Sequence, residues 1–325
     1  MSTVAFDARD AHLEPLRGWG RYAQCLLTGL QGIGAPVRAL TRGWPGPEAA
    51  WEQVGLPLAV RRGGDAVLHV PNCFLPLARP CPGVVTVHDL AFEAFPEDFA
   101  PRTRWKYRVL ARAAARSAER VICVSNFTAG DVVARWGIDR AKVRVVPNAP
   151  ALPVGDDPPP DGAPYVLGVG DLRAKKGWDT LARAWCDGGF AERLVIAGAD
   201  AGEGAALRAL GAETPGYVDD ARLDALIRGA RALVHPSLYE GFGLVVVEAM
   251  ARGVPVVCAD ATALPETAGG AAALFAPGDA TALAAALRAV LDDREAWIAR
   301  GRERVAALSW RHSAQLTAEV YAELM

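Results

Sequence analysis

No apolar run of about 18 residues occurs in this 325-residue chain, so the sequence offers no membrane-spanning helix even though 51% of it is hydrophobic. The opening MSTVAFDARD enters a strand directly, and no secretory signal is expected. None of the six cysteines (25, 73, 81, 123, 186 and 258) forms a Cys-x-x-Cys pair, and most lie in apolar runs. They read as reduced core thiols, which predicts a cytoplasmic protein. The nearest approach to a dinucleotide fingerprint, Gly168-x-Gly170, lacks its third glycine because Arg173 stands there, and this argues against NAD. What remains is a globular α/β chain with 22% charged residues, long enough for two domains of about 150 residues each.

A net charge of −2 conceals an asymmetry: residues 1–150 hold 19 Lys/Arg against 13 Asp/Glu, and residues 151–325 hold 16 against 24. The basic amino half suits an anionic acceptor or an acidic membrane surface, and equally a plain solubility device. Much of that charge lies in 101–120, PRTRWKYRVLARAAARSAER, with seven Lys/Arg and one Glu. As a helix it could rest on an anionic leaflet, or be a solvated helix packed by its alanines. Nucleic acid is not an expected partner, because the basic residues stay in one helix.

The chain is organised around Ala232 to Cys258, ALVHPSLYEGFGLVVVEAMARGVPVVC. Ala232 to His235 suits a buried strand, Pro236 to Gly243 a loop, Leu244 to Arg252 a helix ended by Gly253, and Val254 to Val257 the next strand. In an open α/β sheet such a loop lies at the carboxyl end, where Gly241 and Gly243 let backbone N–H groups approach a phosphate. Glu240 in the loop and Glu248 about two turns into the helix are placed to take the hydroxyls of one phosphorylated sugar from different heights. A cap for Glu240 and a solvated face for Glu248 is the plainer reading of the same letters.

This stretch resembles the E-x7-E signature of the family 4 glycosyltransferases, with the Glu240 to Glu248 spacing, Gly-Phe-Gly between them and Glu-Ala-Met-Ala-x-Gly-x-Pro-Val-Val after them. The resemblance implies the GT-B fold, two Rossmann-like doubly wound parallel-sheet α/β domains facing a central cleft. It also implies transfer of a sugar from a nucleotide donor with retention of anomeric configuration and without a metal. No Asp-x-Asp, the metal-holding device of many other sugar transferases, occurs in the chain. No cofactor is expected beyond the nucleotide sugar.

Other segments carry the resemblance residue by residue. Gly18 and Gly20, before a helix expected from about Arg21, resemble the glycine loop that closes over donor phosphate and acceptor. His88-Asp89 ends the strand Gly83 to Val87, and family members carry there a histidine that contacts the sugar near the reaction centre. A histidine satisfied in the core, with Asp89 as partner, is the alternative. Ser125, a cap for the helix from Phe127, and Asn148, after the strand Val143 to Val146, stand on the acceptor side. After the strand Tyr165 to Val169, Arg173, Lys175 and Lys176 are cations for the diphosphate. The family has a lysine like Lys176 and commonly an arginine where Asp171 or Lys175 stands here, so either Lys175 or Arg173 takes that part. Asp219 is a base contact leaning to guanine, or a cap for the helix Ala221 to Arg228.

The expected domains are 1–150, binding acceptor; 151–308, binding the nucleotide sugar; and a helix in 309–325 returning to the first. The Pro-, Gly- and Trp-rich run 43–58 reads as loop. The site expected is catalytic His88, Glu240 and Lys176, with Gly241, Phe242, Gly243, Leu244 and Glu248 around the donor. The function expected is hexose transfer, GDP-mannose slightly favoured over a UDP-sugar, to a saccharide or lipid-linked acceptor in cell-envelope glycan synthesis. Peripheral contact with the inner membrane goes with the leaflet reading of the basic helix. A catalytically silent nucleotide-sugar-binding subunit and a nucleotide-sugar 2-epimerase are the alternatives.

Overall fold

The computed structural model describes residues 2–13, 16, 18–41 and 47–325. The chain divides into two compact units, Met1–Ala149 with Ser309–Met325, and Pro150–Leu308.

In the first unit six strands pair in parallel: β1 (Val4–Asp7), β2 (Val37–Leu40), β3 (Val67–Val70), β4 (Gly83–Val87), β5 (Arg120–Cys123) and β6 (Val143–Val145), in the order β2-β1-β3-β4-β5-β6. Every residue of β3 and β4 is buried, as expected of strands covered on both faces, and this is why they read as unbroken apolar runs. The second unit repeats the plan with β7 (Tyr165–Val169), β8 (Arg193–Ala197), β9 (Glu213–Gly216), β10 (Ala232–His235), β11 (Val256–Ala259) and β12 (Ala272–Phe275), in the order β12-β11-β10-β7-β8-β9. Here the strand sequence reverses between β7 and β10, which are neighbours, with Ala232 opposite Val166. Ligands of doubly wound sheets bind outside the carboxyl ends of the strands at such a reversal.

The helix Trp310–Ala322 belongs to the first unit, as expected of the GT-B fold. Ser309 caps it by accepting from His312 N. It crosses the helix Gly18–Gly32 so closely that a Cβ on Gly29 would lie 2.8 Å from the Trp310 carbonyl oxygen. Tyr321 carries the contact inward. Its hydroxyl lies 2.6 Å from His69 Nδ1, His69 Nε2 lies 2.9 Å from Thr86 Oγ1, and Thr86 meets the Tyr22 hydroxyl at 3.2 Å.

Several boundaries differ from the sequence reading. Residues 48–58 are helical: Glu48–Ala50, a π-turn Trp51–Gly55 and the start of Leu56–Gly63. Burial of Trp51, Glu52, Leu56 and Val60 outweighs the weak propensity of a Pro- and Gly-rich run, while 43–46 lie outside the described residues. The basic helix is interrupted by a π-turn at Tyr107–Ala111 and ends at Ser117. The helix expected from Arg21 begins at Gly18. The strand expected at Val254 to Val257 starts two residues later, at Val256. An unpredicted helix, Trp178–Gly188, lies between Gly177 and Gly189, both left-handed, and buries Trp178 and Leu181.

Candidate active site

Two loops meet at the strand reversal of the second unit. The loop after β7 runs through a short 3-10 turn, Ala174–Lys176, to Gly177; the loop after β10 runs from Pro236 to Gly243. Leu238 N donates to the Lys175 carbonyl at 2.9 Å, tying them together. Gly177 permits the approach: its φ is +66°, and a Cβ there would lie 2.3 Å from the Pro236 carbonyl oxygen.

The tie brings three chemical groups onto one point. Lys176 Nζ makes a short ion pair with Glu240 Oε1, and His235 Nε2 lies 2.9 Å from the same oxygen. Burial alone would raise the Glu240 carboxyl, but Lys176, the hydrogen bond from His235 and the nearby Lys175 outweigh it and hold Glu240 well below the usual carboxylate range. Burial keeps His235 below its ordinary value in spite of Glu240, so it is neutral at pH 7 and donates through Nε2–H. Its Nδ1 is buried without a partner. Lys175 is itself buried, and no ion pair among the described residues holds its ammonium.

The backbone of Glu240 is gripped as well. Its N–H donates to Thr262 Oγ1 at 3.0 Å and its carbonyl accepts from Ala263 N. Thr262 has a φ of +53°, the one non-glycine residue with positive φ among those described, and a β-branched side chain makes that conformation strained. Gly243, at φ +90°, turns the chain into the helix Leu244–Ala251, whose first N–H groups have no partner within the helix. The Phe242 carbonyl accepts from Thr267 Oγ1 in the short helix Leu264–Ala268.

Glu248 has partners of its own. The carboxylate expected to share one ligand with Glu240 is buried and engaged elsewhere. Its Oε1 accepts from Ala151 N at 2.6 Å and Leu152 N at 2.7 Å, and its Oε2 accepts from Arg252 at 2.8 Å. Arg252 in turn holds Asp224 Oδ1 at 2.6 Å and the Leu152 carbonyl at 2.8 Å. The second glutamate therefore fastens the segment after the first unit to its own helix. Arg173 is turned to Asp171 at 2.9 Å, leaving Lys175 as the cation that acts on Glu240 and His235. Asp219 caps the helix Asp220–Gly229 by accepting from Arg222 N at 2.8 Å.

In the first unit, His88 Nε2 donates to the Pro71 carbonyl at 2.8 Å, and burial lowers its pKa, leaving it neutral. Asp89 is not its partner: Asp89 Oδ1 accepts from Ala91 N at 2.9 Å. The His88 carbonyl accepts from Thr128 Oγ1, which also meets the capping residue Ser125. Gly20 has a packing reason, since a Cβ there would lie 2.4 Å from the Asp10 carbonyl oxygen, while Gly18 stands in open space. Asn148 is buried after β6, its Oδ1 without a partner among the described residues. The structure thus brings Lys175, Lys176, Glu240 and 241–244 together, while Glu248, Arg173 and Asp219 each have a partner elsewhere. Thr262 carries no motif signal, and His235, though it lies in the stretch that resembles the signature, is not among the expected site residues. His235 could have been found as the residue five before Glu240 at a strand end.

Two doubly wound parallel sheets with a C-terminal helix returned to the first define the GT-B architecture, and a cationic, glycine-hinged loop at a strand reversal is suited to a diphosphate. The chain belongs to the family 4 glycosyltransferases. Residues 163–293 match the glycosyl transferases group 1 model and residues 54–149 the glycosyltransferase family 4 model. O-antigen chain mannosyltransferase B of Escherichia coli is 30% identical over 292 residues, covering 81% of this chain and 76% of that protein. MMP alpha-(1->4)-mannosyltransferase of Mycolicibacterium hassiacum is 28% identical over 320 residues, covering 86% and 76%. The solved sucrose-phosphate synthase from Thermosynechococcus elongatus has the same fold, with a TM-score of 0.76 at 23% identity over 100% of this chain and 99% of that one.

Proposed function

We propose that this glycosyltransferase moves a hexose from a nucleotide-diphosphate sugar to a saccharide or lipid-linked acceptor in cell-envelope glycan synthesis, with retention and without a metal. The observation that carries the donor side is the Lys175/Lys176/Glu240/His235 cluster at the strand reversal. Lys176 and Lys175 meet the charge that grows on the leaving diphosphate. At 4 Å each such attraction is worth about 4 kcal/mol at an effective dielectric near 20. Glu240, kept ionised, accepts from sugar hydroxyls. The acceptor oxygen bonds to the anomeric carbon as the bond to phosphate breaks, and the acceptor proton passes to the leaving phosphate oxygen. His88, neutral with Nε2–H already donated, orients the acceptor side and serves as no base through that nitrogen.

The lean toward GDP-mannose rests on the two mannosyltransferases among the relatives, since Asp219 spends one oxygen on a helix cap. The leaflet reading of the basic helix is supported by Trp105 and Val109, 60% and 45% exposed beside Arg102 and Arg108. Cosedimentation with anionic but not neutral vesicles, lost in Trp105→Ser, is its test.

The test of the function is release of free nucleotide from GDP-mannose, UDP-glucose and UDP-galactose with a cell-envelope lipid extract as acceptor, in EDTA, with the product's anomeric configuration read by NMR. Release with one donor, unaffected by EDTA and giving a retained linkage, is expected. Tight nucleotide binding with no transfer to any fraction would favour the silent subunit.

A further inference from the structure

Trp19 stands in the first turn of the helix Gly18–Gly32 with its indole stacked on His88, ring centroids 6.2 Å apart and planes 15° from parallel. Tyr107 lies against it at 5.8 Å and is backed by Phe74 at 5.0 Å and Phe92 at 4.9 Å. Tyr22 meets the His88 edge at 4.6 Å, so histidine and indole are both fixed from behind. Even so, Trp19 is 42% exposed. A large flat side chain held rigidly and left half open has its ordering cost met in advance, as a binding platform requires.

The charges around this platform decide what it can take. Asp89 follows His88 in the chain, the Asp10 carbonyl oxygen would lie 2.4 Å from a Cβ on Gly20 next to Trp19, and both carboxylates act electrostatically on His88 and Tyr107. Asn72 Nδ2 donates to Asp10 Oδ2 at 2.6 Å, orienting that carboxylate. Two cations of the cluster are already committed. Arg9 lies 3.1 Å from Asp7 and 3.2 Å from Glu52, and Lys106 lies 3.5 Å from Glu52 with its ammonium 3.9 Å from the Phe74 ring centroid. A phosphate or carboxylate here would face these carboxylates and find Arg9 and Lys106 already paired. A neutral polyol would not, since its hydroxyls donate to carboxylates and the polarised C–H face of a pyranose lies well on an indole.

We propose that Trp19, with Asp10 and Asp89 beside it, is the platform on which this enzyme seats an uncharged pyranose of its acceptor. The inference rests on the transferase reading and deepens it.

The test uses the full chain labelled with 5-fluorotryptophan, in which the Trp19 resonance among nine tryptophans is assigned by its loss in Trp19→Phe. Methyl α-mannopyranoside is titrated into the GDP- or UDP-saturated protein, with glycerol and inorganic phosphate as controls. A saturable shift of the Trp19 resonance with the glycoside alone, weakened at least fivefold in Asp10→Asn, is expected. A Trp19 resonance that the glycoside leaves unmoved, or that phosphate moves instead, overturns the proposal. Failure of the transferase reading shows separately, as a folded protein that binds neither nucleotide. Trp19→Phe retains an aromatic face, so glycoside binding read on ligand resonances by saturation transfer is expected to persist more weakly in it and to vanish in Trp19→Ala.

Discussion

Glu240 is a buried carboxylate whose ionised form is held by Lys176, His235 and Lys175 together, and this sets how the second unit responds to acid. Both Glu240 and His235 have folded-state pKa values below their ordinary 4.5 and 6.5, so each contributes stability that is complete above those values and is lost as pH falls below them. Asp7, pushed up to about 6 by burial, works the opposite way in the first unit. Denaturant unfolding read on the second unit should therefore show stability falling from pH 7 to pH 5, and less steeply in His235→Gln; a flat or rising profile would refute the assignment. Lys176, Glu240 and the two glycines were legible because the chemistry lies in one dense motif. His235 and Thr262 were not, since one reads as the end of an apolar strand and the other as an ordinary polar residue. The partners of Glu248 were not legible for a physical reason: Ala151 and Leu152 lie 97 and 96 positions away in the chain, and spacing along a helix says nothing about them.

The strand, loop and helix around 232–251 form the element on which the site depends, and its geometry is set at Gly243. An alanine there would have to keep a φ of +90° with its Cβ 2.6 Å from Leu264 Cδ2, so Gly243→Ala should cost about 1–3 kcal/mol and lower the melting temperature by several degrees. The helix it starts also carries the Glu248–Arg252–Asp224 clamp. Truncating one partner of a buried ion pair costs about 3–5 kcal/mol, and Glu248→Gln, which keeps the shape but not the charge, should cost part of that. Stability should fall in Glu248→Gln while nucleotide affinity falls little; loss of affinity with unchanged stability would restore Glu248 to the donor site. Strands were read nearly to the residue because buried parallel strands are continuous apolar runs. The helices of 48–63 were missed because tertiary burial of Trp51 and Leu56, invisible in local composition, sustains them.

At the scale of the molecule, the chain makes two similar units and then returns its last helix to the first. That helix is held by polar as well as apolar contacts, and burial drives His69 down to about 3, so it remains neutral between Tyr321 and Thr86. Tyr321→Phe leaves His69 Nδ1 without its partner and should destabilise the first unit by about 1–3 kcal/mol, measured by denaturant unfolding, with nucleotide binding unchanged. The two-domain plan and the returning helix followed from length and the resemblance. The buried chain from Tyr321 to Tyr22 did not, because no sequence pattern joins residues that far apart. The most direct test of the account is isothermal titration of GDP, UDP and ADP into the wild-type protein and into Lys176→Met. One of GDP or UDP should bind the wild type selectively, with affinity reduced at least tenfold in Lys176→Met. No nucleotide binding to the folded wild type, or equal binding to both proteins, would contradict the assignment of the β7 and β10 loops as the donor diphosphate site.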